Sequence, residues 1–333
     1  MTGTARPFST LYIERKVAEL EATQAVVDRL SPIPVVLIDD HKSVFNRARQ
    51  SFTAQKKRPA LILASGREPY LYAASERIDA GAVSEHYTDQ LRNCMFRCDY
   101  CFLQGMHRSG HVLLKVNEVD FHAAARQAAL NGPIWLNVSF LTDLLAFERY
   151  VPLVSGWVSC ADETATLTVE VRTKCGGTTL LESIPVSDRS VFTWTISPER
   201  FARRYEGGTA STSERLDAAA AAASSGRRVR LAFDPVLLID GWKQAYKEVI
   251  NDAFATLAAD SVEMVTFGVF RMSADYLDKI RKLRADSPIL YHPFERDERV
   301  ATYSADEIEA VRGFMMRNLG RFLPDEKITF VHG

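Results

Sequence analysis

Three of the chain's five cysteines fall within eight residues, in the order Cys94-Met-Phe-Arg-Cys98-Asp-Tyr-Cys101. No other feature constrains the fold as strongly. An odd number of cysteines with three of them clustered reads as metal binding or catalysis in a reducing compartment, not as a disulfide framework. Three thiolates on one loop can ligate three irons of a cubane [4Fe–4S] cluster and leave the fourth iron open for chemistry. The competing reading is a closed zinc site completed by His107 or His111.

Around this loop the hydrophobic pattern alternates between the two regular periods. Residues 14–30 carry Val17, Leu20, Val27 and Leu30 near helical spacing, and Val35–Ile38 reads as a short buried strand. Residues 41–58 are polar and basic, which predicts a solvated loop or helix face. Leu61–Leu63 starts a strand, and 66–93 reads as loop leading to the cysteines. Beyond them, strands are expected at 134–140, 167–172, 192–196, 228–233, 262–269 and 327–331. Helices are expected at 118–131, 143–155, 211–223, 242–257, 274–284 and 304–319. Ser211 and Glu214 form a capping-box pair, and Gly226 suits the C-terminal cap of the same helix. This βαβα rhythm implies a parallel sheet with helices outside it. About six strands follow the cysteines, fewer than a full eight-fold barrel needs.

Composition closes off several classes. The 333 residues carry a net charge of −1, so global electrostatics give no argument for nucleic acid, and such a ligand would need a local basic patch. The first ten residues contain no apolar signal core, and no stretch reaches membrane-spanning length, so a cytoplasmic protein is expected. There is no G-x-G-x-x-G and no G-x-x-x-x-G-K-[ST], which leaves a Rossmann or P-loop site unsupported.

Several segments resemble the spore photoproduct lyase family of the radical S-adenosylmethionine (SAM) superfamily. The match runs through Arg97-Cys98-Asp-Tyr-Cys101-Phe-Leu-Gln104, Val116-Asn117-Glu118, Thr173-Lys174, Arg204 to Thr209, Pro235 to Trp242 and Phe322 to Ile328. The resemblance implies an α/β fold, a partial (β/α)6 TIM-type barrel of the radical SAM type with N-terminal and C-terminal extensions. The expected division is an N-terminal α/β extension at 1–90, the barrel at 91–285 and a C-terminal segment at 286–333 with a substrate-side hairpin or loop. It implies a [4Fe–4S] cluster on Cys94, Cys98 and Cys101. SAM is expected on the open iron, contacted by Tyr100, Thr142, Lys174 and Thr195. It also implies a lyase that uses a 5′-deoxyadenosyl radical to abstract hydrogen from a thymine dimer in DNA. The partners so implied are damaged DNA and an electron donor such as flavodoxin or ferredoxin.

The sequence departs from that family in three places. The family's hydrogen-donating cysteine aligns with Phe140, and its relaying tyrosine with Phe102; neither phenyl ring has a weak X–H bond to give. The lesion-binding hairpin is replaced by the more acidic run 291–303. Cys175, beside Lys174 at a strand end, is then the candidate donor, whereas Cys160 reads as a packing residue. Tyr100, 5′-deoxyadenosine or solvent are the other sources. Two further readings stay open. One is the same radical chemistry on another nucleic-acid lesion or a small molecule. The other is a non-catalytic nucleic-acid-binding descendant, against which the intact three-cysteine motif speaks.

Overall fold

The computed structural model describes residues 7–74, 83–297 and 299–331. An eight-stranded sheet forms its centre, in the order Ile328–Val331, Val262–Val269, Arg228–Val236, Ser190–Thr195, Leu167–Thr173, Ile134–Asn137, Ser84–Thr88 and Leu71–Ala73. Every pairing is parallel except the last. The six strands expected after the cysteines are thus its six consecutive members, and the sheet stays open. Helices cover its outer face, as right-handed crossovers between parallel strands require.

Its two faces differ chemically. Along Leu167–Thr173, Leu167, Val169 and Val171 are fully buried among the apolar core. Glu170 and Arg172 alternate with them, as the two-residue strand period dictates. Their side chains point to the concave side, where Glu170 accepts from Arg172 Nε at 2.8 Å, Thr193 Oγ1 at 2.7 Å and Trp135 Nε1 at 3.1 Å.

A second, five-stranded sheet runs Val35–Ile38, Leu11–Glu14, Leu61–Ala64, Val112–Lys115 and Leu91–Arg92. The two sheets interleave across residue 90, since 71–73 and 84–88 join the large sheet and 91–92 the small one. The stretch 66–93, expected as loop, therefore contains three strands, and residues 75–82 within it lie outside the described residues.

Other expectations shift for identifiable reasons. The helix expected at 14–30 starts only at Glu21, because Leu11–Glu14 is drawn into the small sheet. Val35–Ile38 is a strand but not a buried one: it pairs on one side only, at the sheet edge, and Val35, Val36 and Leu37 are exposed. The helix expected at 143–155 is two helices, Leu144–Glu148 and Leu153–Asp162. Pro152 interrupts the run because it lacks an amide hydrogen. The Glu148 carboxylate then accepts from the Val154 and Ser155 amides at 2.7 and 3.0 Å. The capping box at Ser211 and Glu214 opens the helix Thr212–Ser224, and Gly226 follows it at a φ of +84°.

Within the C-terminal segment, Glu295–Arg296 and Val300–Thr302 join a small antiparallel sheet with Arg271–Ser273. No helix among the described residues is long and apolar enough to cross a membrane.

Candidate active site

Parallel α/β sheets place their sites at the carboxyl ends of the strands, where loops converge. Here the strand ends at Asn137, Thr173, Thr195, Asp234, Val269 and Val331 all border one cavity of about 400 Å³. That size suits a small-molecule ligand. The cysteine loop closes its other side with Cys94, Cys98 and Cys101. Tyr100, Thr142, Lys174 and Thr195 line it as well, so the structure brings seven of the eight candidate residues onto one surface.

Cys175 is the exception and does not line the cavity. Its thiol donates to Asp143 Oδ1 at 3.7 Å, and burial together with Asp143 pushes it well above the usual thiol range. The strand reverses side-chain direction after Lys174, so the neighbouring position turns away. Cys160 is buried beneath the His122 carbonyl, in keeping with a packing role.

The three sulfur ligands are free thiols. Burial pushes the Cys94 thiol up to about 12 and raises Cys98 and Cys101 too, so ligation by cations must displace their protons. Among the described residues, no group of three His, Cys, Asp or Glu ligand atoms that includes them lies within 4.8 Å. Thiolates sharing one tetrahedral zinc would sit about 3.8 Å apart, from a Zn–S bond of about 2.3 Å. The wider spread suits three separate irons of one cluster. Neither histidine of the zinc reading joins them. His107 packs on Phe45, and His111 Nδ1 accepts from the Ala60 amide at 3.0 Å. The donor set therefore fits a [4Fe–4S] cluster with one iron left without a protein ligand.

A buried polar scaffold holds the loop in place. Glu206 pairs with Cys98 across a two-residue antiparallel bridge, and the Asp99 amide donates to the Tyr205 carbonyl at 2.7 Å. The Glu206 carboxylate accepts from Arg215 Nη2 at 2.5 Å, from Ser197 Oγ at 2.7 Å and from the Tyr100 hydroxyl. Burial opposes its charge, but Lys174, Arg215 and these hydrogen bonds outweigh that and hold it below the usual carboxylate range. Lys174 mirrors it: burial disfavours the ammonium, yet Glu206 and its other anionic neighbours raise it above its ordinary value. Its Nζ lies 5.6 Å from the centre of the Tyr100 ring. Among the described residues no side-chain hydrogen bond or ion pair takes up that ammonium, and Lys174 lines the cavity as a charged cation.

Asp143 anchors the next loop. It caps the helix Leu144–Glu148 at the Ala146 amide and accepts from the Lys174 amide at 2.7 Å and from Thr173 Oγ1 at 2.9 Å. On the far wall, Arg271 grips Asp234 through two bonds of 2.8 and 3.1 Å, the fork geometry of a strong pair. Phe140 and Phe102 form part of the apolar lining, their rings 5.7 Å apart, with the Tyr87 ring packed at a tilt against Phe140 at 4.4 Å. The 291–303 segment reaches this rim through Phe294, stacked on Phe270 at 4.4 Å.

Sequence reasoning missed Arg172, Glu206, Asp234 and Arg271. For Arg172 a signal existed: Glu170, Arg172 and Lys174 recur every second residue along and just past a strand whose alternate positions Leu167, Val169 and Val171 are apolar, so all three face the concave side. Glu206 and Arg215 become partners only through the fold.

Comparison with known proteins agrees with this geometry. The family described as "Spore photoproduct lyase" matches residues 76–332. A spore photoproduct lyase of Bacillus subtilis is 20% identical over 336 residues, covering 96% of this chain and 97% of its own. One from Clostridium acetobutylicum is 19% identical over 249 residues, 72% of this chain and 74% of its own. Among solved structures, a spore photoproduct lyase complexed with dinucleoside spore photoproduct superposes with a TM-score of 0.81 at 16% identity, over 98% of both chains. A mutant with bound AdoMet and dinucleoside spore photoproduct superposes at 0.80 and 17%, over 98% of this chain and 99% of that one.

Proposed function

This chain belongs to the spore photoproduct lyase family of radical SAM enzymes, and from that premise we propose that it acts on a thymine photoproduct in DNA, with SAM bound among Tyr100, Thr142, Lys174 and Thr195. One observation carries the reading. The three cysteines and these four residues, spread over more than a hundred positions of sequence, line a single cavity at the carboxyl ends of the strands.

When bound, the cluster and SAM supply one electron and a 5′-deoxyadenosyl radical. The protein's part is binding and shielding. Cys94, Cys98 and Cys101 hold the cluster. Lys174, its charge secured by Glu206, would pair with the SAM carboxylate. The Tyr100 ring, fixed by its hydroxyl on Glu206, offers a flat face for the adenine. The hydroxyl-bearing Thr142 and Thr195 stand at the same wall. Phe102 and Phe140 exclude water from the side where the substrate radical would form, and they donate no hydrogen to it.

That last feature favours a second reading, in which the same radical source serves a different lesion or a small molecule. Hydrogen return then comes from Tyr100, from 5′-deoxyadenosine or from solvent. The reaction needs an outside one-electron donor of the flavodoxin or ferredoxin kind, and free thiols with a low-potential cluster suit the reducing cytoplasm.

The experiment is anaerobic reconstitution with iron and sulfide, then assay of 5′-deoxyadenosine and of restored thymine with UV-irradiated and with undamaged DNA. Cleavage of SAM coupled to repair of irradiated DNA supports the first reading. SAM cleavage indifferent to irradiated DNA supports the second. Absence of SAM cleavage in protein that holds four irons sinks both.

A further inference from the structure

The cysteine loop has a second face. Cys94, Cys98 and Cys101 line the main cavity and also a narrow crevice walled by Phe52, Lys56, Asn93, Arg97 and Gln104, none of which touches the cavity. The crevice, of only about 10 Å³, adjoins a surface pocket of about 240 Å³, with which it shares Phe52, Lys56, Arg97 and Gln104. The shared residues thus place the surface pocket directly behind the cysteine loop, on the side away from the substrate cavity.

This outer pocket is basic in a chain whose net charge is only −1. Lys56, Lys57, Arg97, Arg204 and Arg284 face just two carboxylates, Asp99 and Asp286. Arg284 pairs with Asp99 at 3.0 Å. Lys57, Arg97 and Arg204 are exposed and have no carboxylate partner among the described residues. Several of these groups are bonded directly to the cysteine loop. Lys56 donates to the Cys94 carbonyl. Arg284 donates to the Arg97 carbonyl at 3.1 Å and to Gln104 Oε1 at 2.8 Å, and Gln104 donates in turn to the Cys98 carbonyl at 2.7 Å.

We propose that this basic pocket is the docking face for an acidic one-electron carrier protein, of the flavodoxin or ferredoxin type, and that electrons enter the cluster through it. The proposal rests on the radical SAM reading of the cavity. In the step itself one electron passes from the carrier to the cluster; the carrier is oxidised by one electron, the cluster is reduced by one, and no bond or proton changes hands. Unpaired surface cations steer an acidic partner and raise its association rate. The placement also separates the two encounters: a substrate in the strand-end cavity leaves the opposite face of the loop free, so carrier and substrate can be bound at once. A phosphate backbone is the other polyanion that could use such a pocket, but it would gain nothing from closeness to the cysteine loop.

The test uses reconstituted holoenzyme and the double charge reversal Lys57→Glu/Arg204→Glu, two exposed positions outside the cavity and the cysteine motif. Bleaching of the cluster is followed after mixing with reduced flavodoxin or, in parallel, with photoreduced deazaflavin, a small reductant. At low ionic strength the flavodoxin rate should fall about tenfold or more, as for lost steering charges, and the loss should shrink in high salt. The deazaflavin rate and SAM affinity should hold. The neutral variant Lys57→Gln/Arg204→Gln should fall between. An unchanged flavodoxin rate overturns the proposal. So does an equal fall with both reductants, which would mean damage to the loop. A loss of affinity for a UV-irradiated oligonucleotide with the flavodoxin rate intact would reassign the pocket to nucleic acid. If deazaflavin itself cannot reduce an iron-loaded wild type, the radical SAM reading has failed, and the result is distinct from all of these.

Discussion

Replacing Glu206 with alanine would remove the one anion that three elements of the site share. Arg215 is fully buried and Glu206 is 3% exposed, so the pair sits out of reach of solvent. Breaking such a pair on one side costs about 3–5 kcal/mol, because the remaining charge stays buried and unpaired. Arg215 would keep three other acceptors, the Thr195 and Ala210 carbonyls at 3.0 Å and Thr209 Oγ1 at 2.7 Å. That places its share near the lower end, about 3 kcal/mol. The Ser197 and Tyr100 hydroxyls would lose their acceptor as well, together adding about 1 kcal/mol or more. The expected loss is therefore about 4 kcal/mol, a large part of a typical folding free energy. Urea unfolding of metal-free protein, followed by far-UV circular dichroism, measures it. Glu206→Gln, which keeps an acceptor oxygen, should lose less. The pH arm has a definite sign. Because the folded carboxyl is held below its ordinary value of 4.5, its contribution is complete above that value and disappears as pH falls below it. Wild type and Glu206→Gln should therefore converge in acid. A loss under about 1 kcal/mol at pH 7 would refute the argument, since it would mean that the buried Arg215 charge does not depend on Glu206.

Lys174→Ala should weaken SAM binding by roughly ten- to a hundredfold, the worth of a charge-assisted contact of about 1.5–3 kcal/mol, with iron content unchanged; equilibrium binding to reconstituted protein checks it. Burial opposes the Glu14 charge, but hydrogen bonds from the His41 and Ser65 amides and from the His41 and Lys16 side chains outweigh it and lower the carboxyl from 4.5 to about 2. Glu14 should therefore add stability at neutral pH that is lost as pH falls from 4.5 toward 2, so urea unfolding of Glu14→Gln should differ from wild type at pH 7 and less at pH 2. Cys175→Ala should leave the ratio of repaired product to adducts unchanged, because the thiol faces Asp143; a rise in adducts would restore it as donor. Phe140→Cys should introduce a donating thiol at the cavity wall, read as a gain of repair on irradiated DNA.

The fold was legible where the signal was local. The six large-sheet strands after the cysteines, most of the helices between them and the capping box at Ser211 follow from hydrophobic period and cap chemistry, which act over a few residues. The N-terminal third was not. Val35–Ile38 has the same apolar composition as a core strand, yet lies at an edge with Val35, Val36 and Leu37 exposed, because burial depends on what packs against a strand and not on its own residues. The short strands at 71–73, 84–88 and 91–92 carry too few residues for a period to show, and only pairing across the two sheets defines them.

The site divides along the same line. The cysteine motif is contiguous, and the strand-end residues Lys174 and Thr195 announce themselves by position. The groups that set the charges there are remote from one another: Lys56 lies 38 positions before the Cys94 carbonyl that it touches, and Tyr100 lies 106 before Glu206. Such pairings leave no periodic trace in one sequence. They also explain how the family's radical-generating parts can persist while its hydrogen-returning positions change. Cys98 pairs with Glu206 across the backbone bridge, Tyr100 and Ser197 donate to its carboxylate, and Lys174 and Arg215 balance its charge, so altering Glu206 leaves a buried charge and two hydroxyls without their acceptor. The Phe102 and Phe140 side chains pack on each other, on Tyr87 and on apolar neighbours such as Leu103 and Leu141. Exchange there alters packing and hydrogen supply without breaking the network, so substrate chemistry could drift at that wall while the radical source stayed fixed.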